Sequence, residues 1–133
     1  MQFARWVFRI SGIYGLIAIL PAYFMEQWLG REDPPAITHP EYFYGFLGVA
    51  AAWQVAFLII AQDPIRYRIL MIPAVLEKFS FGIAVLALYA RERVSGMVLI
   101  PGLVDLSWGL LFLLAYRQTG SDPRSGPENV RKS

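Results

Sequence analysis

Residues 71–91 read MIPAVLEKFSFGIAVLALYAR. From Met71 to Ala90 the charged residues are Glu77 and Lys78, side by side in an otherwise apolar run. A helix of roughly 20 residues, rising 1.5 Å each, crosses about 30 Å of hydrocarbon. Lipid offers no partner to an unpaired backbone group, so a spanning segment must be a helix or part of a closed barrel. A barrel strand would alternate in polarity, and this run does not. The stretch therefore predicts a transmembrane helix with an ion pair's worth of charge at its middle.

Residues 99–117, LIPGLVDLSWGLLFLLAYR, echo it. Aligned with small gaps, both runs give Ile-Pro, a small residue, two aliphatics and an acid. Both continue with Ser, an aromatic and Gly, and both end in Tyr and Arg. Duplication and convergence within a small apolar alphabet each account for the echo. Pro73 precedes Glu77 by four residues and Pro101 precedes Asp105 by four, which places each pair on one helical face. A helix proline lacks its N–H and frees a carbonyl, so each pair is expected near a polar interior.

Two more apolar blocks lie upstream, giving expected helices over 3–28, 42–61, 69–90 and 94–116. The 133 residues are 56% hydrophobic and 17% charged, against roughly 25% charge in soluble domains. A disordered chain, a nucleic-acid module and an ordinary cytosolic enzyme are excluded. Cysteine is absent, which excludes thiolate chemistry and Cys-ligated metals, and the single histidine, His39, leaves little scope for a histidine metal site; no cofactor is expected. Arg5 and Arg9 precede the first apolar run as in a signal peptide. The run is long for an h-region and no A-x-A site follows, so a retained helix is expected.

The expected fold is all-α: a polytopic four-helix transmembrane bundle over 1–117, with 118–133 as a disordered cytoplasmic tail. Short connections at Asp63-Pro64 and Arg91-Glu92-Arg93 favour sequential antiparallel neighbours. With both termini cytoplasmic, Arg5, Arg9, Arg66, Arg68, Arg117, Arg124, Arg131 and Lys132 lie inside, against Arg31, Arg91 and Arg93 outside. The positive-inside rule then orients the chain, as a multi-pass protein of the inner (plasma) membrane. Gly12, Gly15, Gly45, Gly48 and Ala52 are candidate sites of close helix approach. His39 and Glu41 set an imidazole beside a carboxylate in the first, polar connection.

Counting depth at 1.5 Å per residue puts Arg9 about 9 Å from the inner end of its helix, Gln54 and Glu77 about 12 Å, and Lys78 about 14 Å. Asp105 lies about 16 Å from the outer end of the last helix. Three unpaired charges at the bilayer centre would cost roughly 8–10 kcal/mol, so they should turn inward and pair. Lys78 is expected to meet Asp105. Glu77 points about 100° away from Lys78 and is expected to find Arg9 or Gln54. Arg9, Glu77, Lys78 and Asp105 would form a neutral network, with Tyr14, Ser80, Ser107 and Trp108 as donors.

Such a layer fixes helix register, floors a pocket for a hydrophobic small molecule such as a lipid or quinone, or relays protons or ions. Neutrality opposes a simple ion path, and no nucleophile-and-base spacing accompanies Glu77 or Asp105. The leading expectation is a non-catalytic accessory or structural component of a larger membrane complex or homo-oligomer, surrounded by membrane lipids. The alternative is a binder or carrier of a small hydrophobic ligand with Gln54, Glu77, Lys78 and Asp105 at its polar end. A deep cavity reaching these residues would favour the binder; a dry, paired core would favour the subunit.

PEYFYGFLGVAAAWQ at 40–54 and MIPAVLEKFSFG at 71–82 look like small bacterial membrane proteins. Four short-looped spans with intramembrane acids are similar to the broad DoxX-like group over about residues 3–117. The resemblance implies a four-helix membrane fold and, since some DoxX-type proteins are associated with quinone-linked redox complexes, a quinone or accessory-subunit role. The chain departs in having no haem-ligand set or flavin motif, and no functional residue is carried over.

Overall fold

A computed structural model describes residues 2–123. Four helices are long and apolar enough to cross a membrane: Gln2–Phe24, Pro40–Gln62, Arg68–Ala90 and Gly96–Gly120. They form an all-α four-helix bundle, with no strand among the described residues. This is the architecture of a multi-pass membrane protein.

Helix α1 (Gln2–Ile19) tightens into a 3-10 segment, Leu20–Phe24. Pro21 has no N–H to offer the carbonyl of Ile17, which ends the α-helical ladder there. Beyond Met25 a short helix α2 (Glu26–Glu32) begins. The span expected over 3–28 therefore ends at Phe24, and Trp28 belongs to a separate element. The Tyr44 hydroxyl donates to Glu26 at 2.8 Å and ties α2 to α3 (Pro40–Gln62). Pro40 opens α3 where its missing N–H has no intrahelical partner to lose.

Helix α4 (Met71–Ala90) follows a 3-10 turn, Arg68–Leu70. Pro73 falls in the first turn of α4, so it breaks no ladder bond, while Pro101 lies inside α5 (Gly96–Gly120). The two prolines are thus not equivalent, contrary to the sequence echo. Helix α5 also runs through Gln118 and Thr119, which were expected in the tail. Buried Thr119 is held by its own helix, its Oγ1 donating to the Ala115 carbonyl at 2.8 Å. Arg68 closes this end: Nε and Nη2 donate to the Tyr116 carbonyl at 3.2 and 3.1 Å. Its guanidinium also stacks 3.8 Å above the Tyr116 ring. The rest of the expected tail, 124–133, lies outside the described residues.

Helix α1 packs along α3, and α4 along α5; α1 and α5 join the two pairs. Helices α3 and α4 scarcely touch although a short turn connects them. Sequential pairing therefore fails at that one step. Close approach in the α1/α3 pair runs through Gly12 and Gly15, against which Leu58 and Gln54 lie. In the α4/α5 pair a Cβ at Gly102 would come within 2.6 Å of Val85. Of the other candidate packing positions, Gly45 faces open space and Ala52 is exposed.

The half of the bundle nearest the termini is dense. Phe8 stacks on Phe112 at 4.2 Å between centroids, and Phe57 meets Phe112 edge-on at 4.8 Å. Ala4, Val7, Ile60, Ala61, Met71, Ala74 and Ala115 fill around them. Each aromatic pair adds about 0.5–1.5 kcal/mol beyond simple burial. In lipid, helix association rests on such packing, because acyl chains are as apolar as leucine. The outward faces stay apolar: Phe24 is 93% and Ile69 70% exposed. Surfaces of this kind call for hydrocarbon as the surrounding medium.

Candidate functional site

The half of the bundle toward α2 is hollow. A cavity of about 250 Å³ lies among all four spans. Its walls are apolar and aromatic: Ala18 and Ile19 of α1, Ala22 of the 3-10 segment that follows, Phe46, Leu47 and Ala50 of α3, Phe81 of α4, Pro101 and Val104 of α5. Its polar lining is Ser11, Tyr14, Gln54, Glu77, Lys78 and Asp105. The cavity exists because α3 and α4 stand apart while small residues face it from α1 and α3.

Lys78 sits at the boundary between the dense and hollow halves. Its Nζ donates to Asp105 Oδ1 at 3.1 Å and lies 5.3 Å from the centre of the Phe57 ring. The expected Lys78–Asp105 pair is therefore present. Nζ also lies 3.6 Å from Glu77 Oε2 on its own helix. Adjacent helical residues diverge by about 100° at Cα, but a four-carbon stem lets the ammonium bend back.

Several expected members lie elsewhere. Arg9 stacks beside Trp6, 5.4 Å from its ring centre, and forms no ion pair with an acid among the described residues. Residues at i and i+3 share a helical face, and Trp6 is exposed, which takes the guanidinium away from Glu77. Ser80 and Ser107 are exposed and bond back to the Glu77 and Leu103 carbonyls of their own helices. Trp108 packs beside Tyr14 and Phe112 without bonding to the charged group. Tyr14 is 47% exposed and stands in the cavity wall as an aromatic surface. Without Arg9, the cluster holds two carboxyl groups and one ammonium, so the expected four-member network is reduced to three.

Three polar atoms at this level have no hydrogen-bond partner: Ser11 Oγ, Gln54 Oε1 and Glu77 Oε2. Ser11 and Gln54 are each only 1% exposed. The Gln54 amide is oriented by its other end, Nε2 donating to the Ala50 carbonyl at 3.0 Å. Its oxygen lies over Gly15, and a side chain at Gly15 would overlap it. An unsatisfied buried polar group costs about 1–3 kcal/mol. Ser11 was missed from sequence, though it continues the buried α1 face of Ala4, Val7, Phe8, Gly12 and Gly15.

The expected His39–Glu41 contact is present at 3.3 Å, on the surface and away from the cavity. No group of three metal-binding side chains occurs among the described residues. Comparison with family models, with curated proteins and with solved structures gives no match, so the site is read from its own geometry.

Proposed function

We propose that this protein binds or carries a small membrane-dissolved amphiphile, with its polar head on Gln54, Glu77, Lys78 and Asp105. One observation carries the reading: an apolar cavity of about 250 Å³ ends on buried polar atoms that the protein itself leaves unpaired. Ligand sites in general combine apolar walls with a few convergent polar groups. A purely structural component needs neither the cavity nor the unpaired atoms, so the accessory-subunit reading explains less of the molecule. Within a water-poor bundle interior, head-group hydrogen bonds would be worth more than at a surface. The apolar tail would stay in the cavity and the adjoining acyl chains.

The orientation belongs to the same proposal. The arginine asymmetry supports cytoplasmic termini and an inner-membrane location, which sets the cavity in the outer-leaflet half. Native mass spectrometry of the chain, gently extracted from membranes, tests the binding. A small-molecule adduct is expected on the wild type and should be lost from Ala50→Leu, whose longer side chain fills the cavity wall. A bare wild-type chain, identical in adduct pattern to Ala50→Leu, would refute the proposal.

A further inference from the structure

We infer that the cavity takes a cationic amphiphile, an apolar tail carrying a protonated amine. The inference rests on the cavity reading above and adds the charge and hydrogen-bonding class of the head group. Three observations converge on it.

The first is charge. Among the described residues, Glu77 and Asp105 face a single ammonium, Lys78, and no other cationic side chain lines the cavity. Arg9, expected from sequence to join this layer, lies beside Trp6 instead. With both carboxyl groups ionised, the floor has one formal negative charge in excess, in a medium that penalises unbalanced charge heavily. A head group bearing one positive charge restores the balance. An anionic head, such as a phosphate, worsens it.

The second is the kind of unpaired atom. Gln54 Oε1 can only accept, and its orientation is set because Nε2 is spent on the Ala50 carbonyl. Glu77 Oε2 accepts no hydrogen bond either, its ion-pair partner Lys78 Nζ standing off at 3.6 Å. Ser11 Oγ takes either role. The ligand head must therefore bring N–H or O–H groups. A head made of carbonyl or ester oxygens leaves both acceptors unsatisfied.

The third is the approach. Glu77 lines the cavity and also the crevice between α3 and α4, which Phe46, Trp53 and Phe81 border. Phe46 and Phe81 meet across that crevice at 5.5 Å between centroids. Aromatic faces attract ammonium groups within about 6 Å. A cation entering from lipid between α3 and α4 would pass the two phenyl rings and reach Glu77, with Gln54 deeper in the same cavity. An alcohol would satisfy the acceptors but leave the charge excess and gain little from the rings.

The test uses the full chain in phosphatidylcholine nanodiscs, with empty discs as background. Radiolabelled dodecylamine, cationic at pH 7, is compared with radiolabelled dodecanol. Dodecylamine should bind saturably and at least about tenfold more tightly than dodecanol, a difference of 1.4 kcal/mol. Glu77→Gln should weaken the amine by about tenfold and leave the alcohol unchanged. Gln54→Met, which removes the buried acceptor, should weaken the amine as well; an amine affinity unchanged in both variants, with helix content by circular dichroism at the wild-type level, overturns the inference. Equal or tighter binding of dodecanol, indifferent to Glu77→Gln, overturns the cationic inference while the cavity reading stands. Saturable binding of neither probe, with Ala50→Leu no different from wild type, overturns both.

Discussion

Lys78 and Asp105, on antiparallel neighbours α4 and α5, meet with Nζ 3.1 Å from Oδ1 at the boundary between the dense and hollow halves of the bundle. Lys78 is only 5% exposed, and among the described residues it is the one cation serving these two carboxyl groups. Removing it strands both acids. Lys78→Met should destabilise the bundle by about 3–5 kcal/mol, as breaking a buried pair from one side does. Lys78→Met with Asp105→Leu should be milder, and adding Glu77→Gln milder again, because each step removes a stranded charge. Denaturant titration in mixed micelles gives the order; a double variant no milder than the single would show that the pair is not coupled.

Gly15 and Gln54 make a second coupled pair, across α1 and α3. A Cβ at Gly15 would overlap the Gln54 carboxamide, so Gly15→Ala should cost about 1–3 kcal/mol through overcrowding. In a Gln54→Ala background the same change should turn neutral or stabilising, since alanine exceeds glycine in helices by about 1 kcal/mol. The four melting curves of this cycle measure the sign reversal.

Arg68 anchors the start of the third span to the end of the fourth by two hydrogen bonds to one carbonyl. Arg68→Ala should cost about 1.5–3 kcal/mol, the range for bonds from a charged donor. Arg68→Lys should recover only part of this, because an ammonium cannot reproduce the forked contact or the flat stacking on Tyr116. Thermal unfolding of the two variants side by side checks the ranking.

Glu92 occupies the left-handed region with φ 56° just past the end of α4. The Arg93 amide donates to the Leu88 carbonyl and the Glu92 amide to Tyr89, both at 2.9 Å. That bond pattern is a Schellman cap, whose left-handed position glycine occupies most readily. Glu92→Gly should stabilise the α4/α5 hairpin by about 1 kcal/mol. An unchanged or lowered melting temperature would contradict the strain argument.

The amino-acid sequence alone determined the solvent, the number of spans and the partner of Lys78. Each follows from quantities local to one helix: the length of an apolar run, the cost of a charge in lipid, and depth counted at a constant rise per residue. Tertiary structure alone decided that Arg9 turns away, that Ser80 and Ser107 look outward, and that α3 and α4 part to leave a cavity ending on Gln54 Oε1. Those outcomes depend on how each helix is rotated and how far apart the helices stand. Rotation and spacing are set by side chains from distant segments interlocking, as at Gly15 with Gln54 and Gly102 with Val85, and no single apolar run carries that information.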